Sequence, residues 1–185
     1  MVYIFSNKSK SDQFTFPIFK GFIPFTSDID FALKITEHEG LFDFFFKNPI
    51  VGLDVVFGFP DDSYEFHTRN KDFRYDLFFV YNLNSTYQYY TYHKSFIKHK
   101  QLLPHFDDLC SAELIDVKVM VPCDVVNYLT YMYGSIDDWK IPKTENFTWP
   151  YLNLNEGTKW SNSRKNNAVK LYGPNGFKGY LQSPY

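Results

Sequence analysis

The chain has 185 residues, 44% hydrophobic and 22% charged, enough for one domain with a buried core. Its formal net charge of −2 gives no basic footprint for nucleic acid. No apolar run approaches the roughly 18 residues of a membrane span, and the N-terminal MVYIFSNKSK lacks the basic and apolar regions of a secretory leader. The 21 Phe and 15 Tyr tilt the chain towards a sheet-rich fold, because aromatic side chains favour strands.

Residues 1–20 are poorly patterned and read as an irregular lead-in. Residues 22–35 read as a strand or a strand pair. TEHEGLFDFFFKN (36–48) reads as a short helix, with Thr36 as N-cap and Leu41, Phe42, Phe45 and Phe46 on its apolar face. PIVGLDVVFGF (49–59) reads as a strand, and PDDSYEFHTRNKD (60–72) as a polar turn region. FRYDLFFVYNL (73–83) is a strong strand, and TYQYYTYHK (86–94) fits a partner strand. AELIDVKVMVP (112–122) alternates as one strand, with Leu114, Asp116, Lys118 and Met120 on one face. CDVVNYLTYMYG (123–134) switches to helical period, with Gly134 as its stop. Residues 151–185 read as an irregular C-terminal tail. Strands with interspersed helices predict an α+β fold with a mixed sheet.

Two cysteines, Cys110 and Cys123, are too few for a disulfide scaffold or a four-cysteine zinc site. They read first as buried free thiols, with one disulfide permitted in an oxidising compartment. Three N-x-S/T sequons, at Asn7, Asn84 and Asn146, permit a secretory location without requiring it. His38, His67, His93, His99 and His105 show no zinc-ligand spacing and read as surface or supporting residues.

The stretch GFIPFTSDIDFALKI (21–35) carries the chemistry. Asp28 and Asp30 point to the same side of a strand. Two carboxylates so placed repel unless a cation sits between them, and hard oxygen ligands suit Mg²⁺ with substrate phosphates. A solvent-exposed strand face is the alternative. Asp76 in RYDLFFV is the candidate third carboxylate, and Asp54 in GLDVVF competes with it. Arg69, Lys71 and Arg74 lie ahead of Asp76, either as a solvated hairpin edge or as phosphate contacts. Trp139, Trp149 and Trp160 are candidates for ring stacking or for packing.

Taken together, GFIPFTSDIDFALKI, YDLFFV and VPCDVVNYLTYMYGSIDDWKIP resemble the LicD/fukutin family over residues 21–150, in wording nearer its animal, fukutin-like branch. The matching positions are Gly21 to Pro24, Asp28 and Asp30, Asp76, Pro122, Tyr133 and Gly134, then Trp139 and Pro142. The resemblance implies a nucleotidyltransferase-like fold. It implies transfer of a phosphate-linked group, such as a sugar-alcohol phosphate or phosphocholine, from a CDP-linked donor to a glycan or glycoprotein hydroxyl. Asp28, Asp30 and Asp76 would hold Mg²⁺ or Mn²⁺, with Asp76 completing the metal site or helping to deprotonate the acceptor. Arg74 and Lys71 would meet the donor phosphates. The family location is the Golgi or endoplasmic reticulum lumen. The sequence departs from the pattern at SDQFTFPIFK, where the family has a Gly-Gly-Thr-like turn that cradles phosphate. The expectation is therefore an N-terminally incomplete domain of an enzyme of the LicD/fukutin type, with activity in this form left open by the missing loop. The alternative function is a non-catalytic glycan-binding or scaffolding domain that retains the fold.

Overall fold

The computed structural model describes residues 28–47, 50–70, 74–94, 96–106, 108–114, 117–135, 153, 155 and 157–182. In chain order the elements are β1 (Asp28–Lys34), a 3-10 turn (Ile35–Glu37), α1 (Leu41–Lys47), β2 (Gly52–Phe59), β3 (Asp62–Arg69) and β4 (Arg74–Asn82). There follow β5 (Tyr87–Lys94), β6 (Ile97–Pro104), β7 (Leu109–Leu114), β8 (Val117–Pro122), α2 (Val125–Tyr133), β9 (Thr158–Lys159), β10 (Val169–Gly173) and β11 (Gly176–Tyr180). The fold is α+β, as expected, with a nine-stranded mixed sheet that is mostly antiparallel.

The sheet is organised around β4. Strands β2, β3 and β4 form an antiparallel meander. Strand β1 pairs in parallel with the other edge of β4, from Asp28↔Arg74 to Lys34↔Val80. At Tyr81 and Asn82, β4 changes partner to β5. Near its end β2 carries an irregularity at Gly58, whose φ is +70°; a Cβ there would run into the backbone carbonyl of Ser63.

Alternation along β1, β3 and β4 sends side chains to two faces. On one, Leu33, Leu53, Val56, Phe66, Leu77 and Phe79 are buried against Leu41, Phe42 and Phe45 of α1. On the other, Ala32, Phe78 and Val80 cluster with Tyr90 of β5, Leu103 of β6, and Tyr128 and Met132 of α2. The β5–β6 hairpin thus crosses the face that carries Asp30 and Asp76. Helix α2 follows its expected period and is capped by Asp124, which accepts from the Asn127 amide at 3.2 Å. It ends at Gly134, where φ is 95°.

Several expectations are corrected. Thr36 does not cap a helix; it lies within the 3-10 turn, which His38 Nδ1 closes by bonding to the Ile35 carbonyl at 2.7 Å. Helix α1 starts only at Leu41, where its apolar residues reach the sheet. The polar segment 60–72 contains a central strand, β3. Residues 112–122 span parts of two strands: β7 and β8 pair with Leu114 opposite Val117. A two-residue connection preserves the alternation, so periodicity could not reveal the hairpin. Segment 151–185 is not an irregular tail, because β10 pairs with β2, β9 pairs with β6, and Trp160 and Val169 are buried. The cysteines are not free: Cys110 and Cys123 form a disulfide with Cα atoms 4.9 Å apart. The N-terminal lead-in and Gly21 to Pro24 lie outside the described residues.

Candidate active site

Strand register builds the site. Asp30 is the partner of Asp76 across the parallel β1–β4 pair, and Asp76 is the partner of His67 across the antiparallel β4–β3 pair. The three therefore form a row on one face. Both aspartates are nearly fully buried, at 3% and 4% exposure. Burying a carboxylate costs several kcal/mol unless charge and hydrogen bonds offset it, so the surroundings must supply both.

For Asp76, Arg74 supplies both, while His67 lies beyond hydrogen-bond distance and is near enough to act only through charge. An Arg74 guanidinium nitrogen lies 2.9 Å from Oδ2, and His67 Nε2 lies 3.7 Å from Oδ1. His67 is itself held by Glu65, whose Oε1 is 2.7 Å from the same Nε2. The other Glu65 oxygen is 2.6 Å from His93 Nδ1. An ionised carboxylate only accepts, so both imidazoles donate. Burial works to raise the Glu65 pKa, but the bonds and charges of His67 and His93 outweigh it and hold the group below its usual value. Burial works to lower the His67 pKa, but the Glu65 bond and charge, helped by Asp76, hold it above its usual value.

Aromatic rings close the inner end. The His93 side chain is fully buried, stacked on Phe57 at 4.7 Å on one side and on Trp160 at 5.6 Å on the other. Phe57 also meets the His67 ring at 4.8 Å. The outer end is open: the Arg74 side chain is 46% exposed. A cavity of about 210 Å³ at the start of α2, lined by His105, Asp108 and Cys123 among others, includes none of these groups.

The structure sorts the sequence candidates. Asp30 and Asp76 come together. Asp28 opens β1 as the register partner of Arg74, and its side chain lies outside the described residues. Asp54 sits at a register shift of β2 and pairs with Arg69 at 3.6 Å, both substantially exposed. Lys71, Trp139, Pro142 and Trp149 lie outside the described residues. Sequence reasoning missed Glu65, because the segment was read as a turn, and left His67 and His93 as generic surface or supporting residues. The signal was present: Tyr64, Phe66 and Thr68 alternate with Ser63, Glu65 and His67, the period of an amphipathic strand.

The donor set suits a hard divalent cation, since two buried carboxylates in register are oxygen ligands that need a counter-charge. Among the described residues, no three His, Cys, Asp or Glu side chains group closely enough to hold a metal ion. A third ligand would have to come from elsewhere, and Asp28 is the candidate on the same strand.

In sequence, the chain is similar to curated proteins that include ribitol-5-phosphate transferases. It is 32% identical over 155 residues to the ribitol-5-phosphate transferase FKTN of Mus musculus, covering 82% of this chain and 33% of the mouse protein. It is 31% identical over 153 residues to the ribitol-5-phosphate transferase FKTN of Homo sapiens, covering 81% of this chain and 32% of that protein. It is 27% identical over 163 residues to an uncharacterized protein of Caenorhabditis elegans, covering 82% of this chain and 43% of the worm protein. The chain is thus similar to the fukutin-like branch of the LicD/fukutin family across most of its length. It spans about a third of the length of the first curated relatives it matches. No family model and no solved structure matches it.

Proposed function

We propose that the chain is part of a metal-dependent transferase with a nucleotidyltransferase-like fold. It would move a sugar-alcohol phosphate or phosphocholine-type group from a CDP-linked donor to a glycan hydroxyl. The observation that carries the reading is the in-register pair of buried aspartates, Asp30 and Asp76, in a chain similar to ribitol-5-phosphate transferases. Asp28, Asp30 and Asp76 would hold Mg²⁺ or Mn²⁺, which would neutralise charge on the donor diphosphate. Arg74, half exposed and paired with Asp76, would meet a phosphate oxygen, with Lys71 as the second candidate. The acceptor hydroxyl would attack the phosphorus that bears the alcohol group and the phosphorus–oxygen bond to cytidine monophosphate would break, with Asp76 either completing the metal site or taking the hydroxyl proton. The disulfide supports an oxidising lumen, of the Golgi or endoplasmic reticulum, as the working compartment.

The test is cytidine monophosphate release from CDP-ribitol with a glycan acceptor. Asp30→Asn, which keeps shape and removes ligand charge, should abolish release, as should a chelator. Release that survives both overturns the reading. One observation favours a second reading, a non-catalytic glycan-binding or scaffolding domain: Arg74 already engages Asp76 at 2.9 Å. Glycan binding with no response to nucleotide or divalent ion would select it.

A further inference from the structure

We infer that Asn84, in the turn between β4 and β5, is a site of N-linked glycosylation, modified by an oligosaccharide carried on a lipid diphosphate. The inference rests on the lumenal compartment of the reading above and not on its transferase chemistry.

Three observations carry it. Asn84-Ser85-Thr86 is an acceptor sequon with no proline in its middle position, whereas the sequons at Asn7 and Asn146 lie outside the described residues. The sequon fills the connection between Asn82, the last residue of β4, and Tyr87, the first of β5, and every residue from Asn82 to Thr86 is exposed. A bulky, hydrated glycan needs such a surface turn. The Cys110–Cys123 disulfide supports an oxidising compartment, where glycan transfer to asparagine takes place.

The turn is held by groups that the modification leaves alone. The Leu83 and Asn84 amides donate to the Tyr87 carbonyl at 3.0 and 3.1 Å. Asn84 Oδ1 accepts from the amides of Thr86 and Tyr87, each at 2.8 Å. Both bonds of the side chain fall on its oxygen, and the nitrogen is the atom left for chemistry. In the transfer, Nδ2 bonds to the anomeric carbon of the first sugar. The bond from that carbon to the diphosphate oxygen breaks, the diphosphate leaves, and the amide gives up one proton. Oδ1 stays a carbonyl oxygen, so the turn keeps both of its bonds. The glycan also stands clear of the candidate site: β4 leads away from Asp76, and at about 3.3 Å per residue its end at Asn82 lies roughly 20 Å off.

The experiment directs the 185-residue chain into the secretory pathway of a eukaryotic cell behind a cleavable leader. Asn7→Gln and Asn146→Gln leave Asn84 as the acceptor to be read. N-glycosidase is expected to remove one mobility step and, in heavy-oxygen water, to convert Asn84 to labelled aspartate in the peptide mass spectrum. Thr86→Ala should abolish the step with the melting temperature unchanged. Thr86 holds the turn through its main chain, whose carbonyl accepts from the His105 amide at 2.8 Å. If Thr86→Ala does not fold, Asn84→Asp carries the same test, because it keeps the accepting oxygen and removes the nitrogen. Unmodified Asn84 in chains whose Cys110–Cys123 disulfide has formed, or a step that survives Thr86→Ala, overturns the inference and leaves the transferase reading standing. That reading fails separately, on cytidine monophosphate release.

Discussion

The same three strands, β1, β3 and β4, build two unlike faces. Under α1 the face is aromatic and aliphatic: Phe66 and Phe79 are completely buried, and Phe66 meets Phe79 and Tyr64 edge-on at 5.1 and 4.7 Å. On the reverse, Asp30, Glu65, His67 and Asp76 occupy neighbouring positions. The first face needs only volume and shape. The second buries carboxylates: Arg74 and His67 flank Asp76, and His67 and His93 each bond one oxygen of Glu65. The difference separates a face held by packing from a face held by charge pairing and hydrogen bonds.

Substitutions on each face sharpen the contrast. Phe66→Ala should have the largest effect, about 3–5 kcal/mol of lost stability, read as a lower denaturant midpoint at unchanged slope. Glu65→Gln keeps volume but weakens two charge-assisted bonds, and should cost about 1.5–3 kcal/mol. A cost equal to that of Phe66→Ala would mean that the polar face is as structural as the aromatic one. Asp30→Asn should go the other way without divalent ions, raising stability by up to about 1 kcal/mol, because like charges on opposed strand positions repel. A destabilised Asp30→Asn variant would break the distinction between the faces.

Alkaline pH touches the aromatic face. Burial, and then the charge of Tyr172, push the Tyr64 pKa from 10.0 up to about 12. The folded state thus holds this proton more tightly than the unfolded state. Its contribution is complete below pH 10.0 and is lost as pH rises through about 12. Tyrosinate absorbance and circular dichroism followed together should show this phenol ionising late, with unfolding. Early ionisation without unfolding would place Tyr64 in contact with water.

The aromatic face was largely legible beforehand, because Leu77 and Phe79 lie in an apolar run and Leu41, Phe42 and Phe45 recur at helical spacing. The aspartate row was legible in its residues but not in its register. Nothing local to Asp30 specifies that Asp76 rather than Asp54 stands beside it; that follows from β1 pairing with β4 and from the irregularity that sets Asp54 at a register shift in β2. Strand β3 escaped notice because one of its faces is polar for a reason that appears only in three dimensions. Residues 158–180 escaped because β9, β10 and β11 are short and rely on β6 and β2 for their partners.

The parallel docking of β1 also has a kinetic side. The β2–β3–β4 meander is made of neighbours in sequence, and it already contains Arg74, Asp76, His67 and Glu65. Strand β1 must return across that whole meander to reach β4, a non-local pairing with a larger loop-closure cost. Asp30 is therefore expected to arrive late, beside an Asp76 whose partners are in place. In folding kinetics, Val56→Ala in the meander should slow folding, whereas Ala32→Gly in β1 should mainly speed unfolding. The repulsive aspartate pair would then form only once the rest of the sheet is there to hold it.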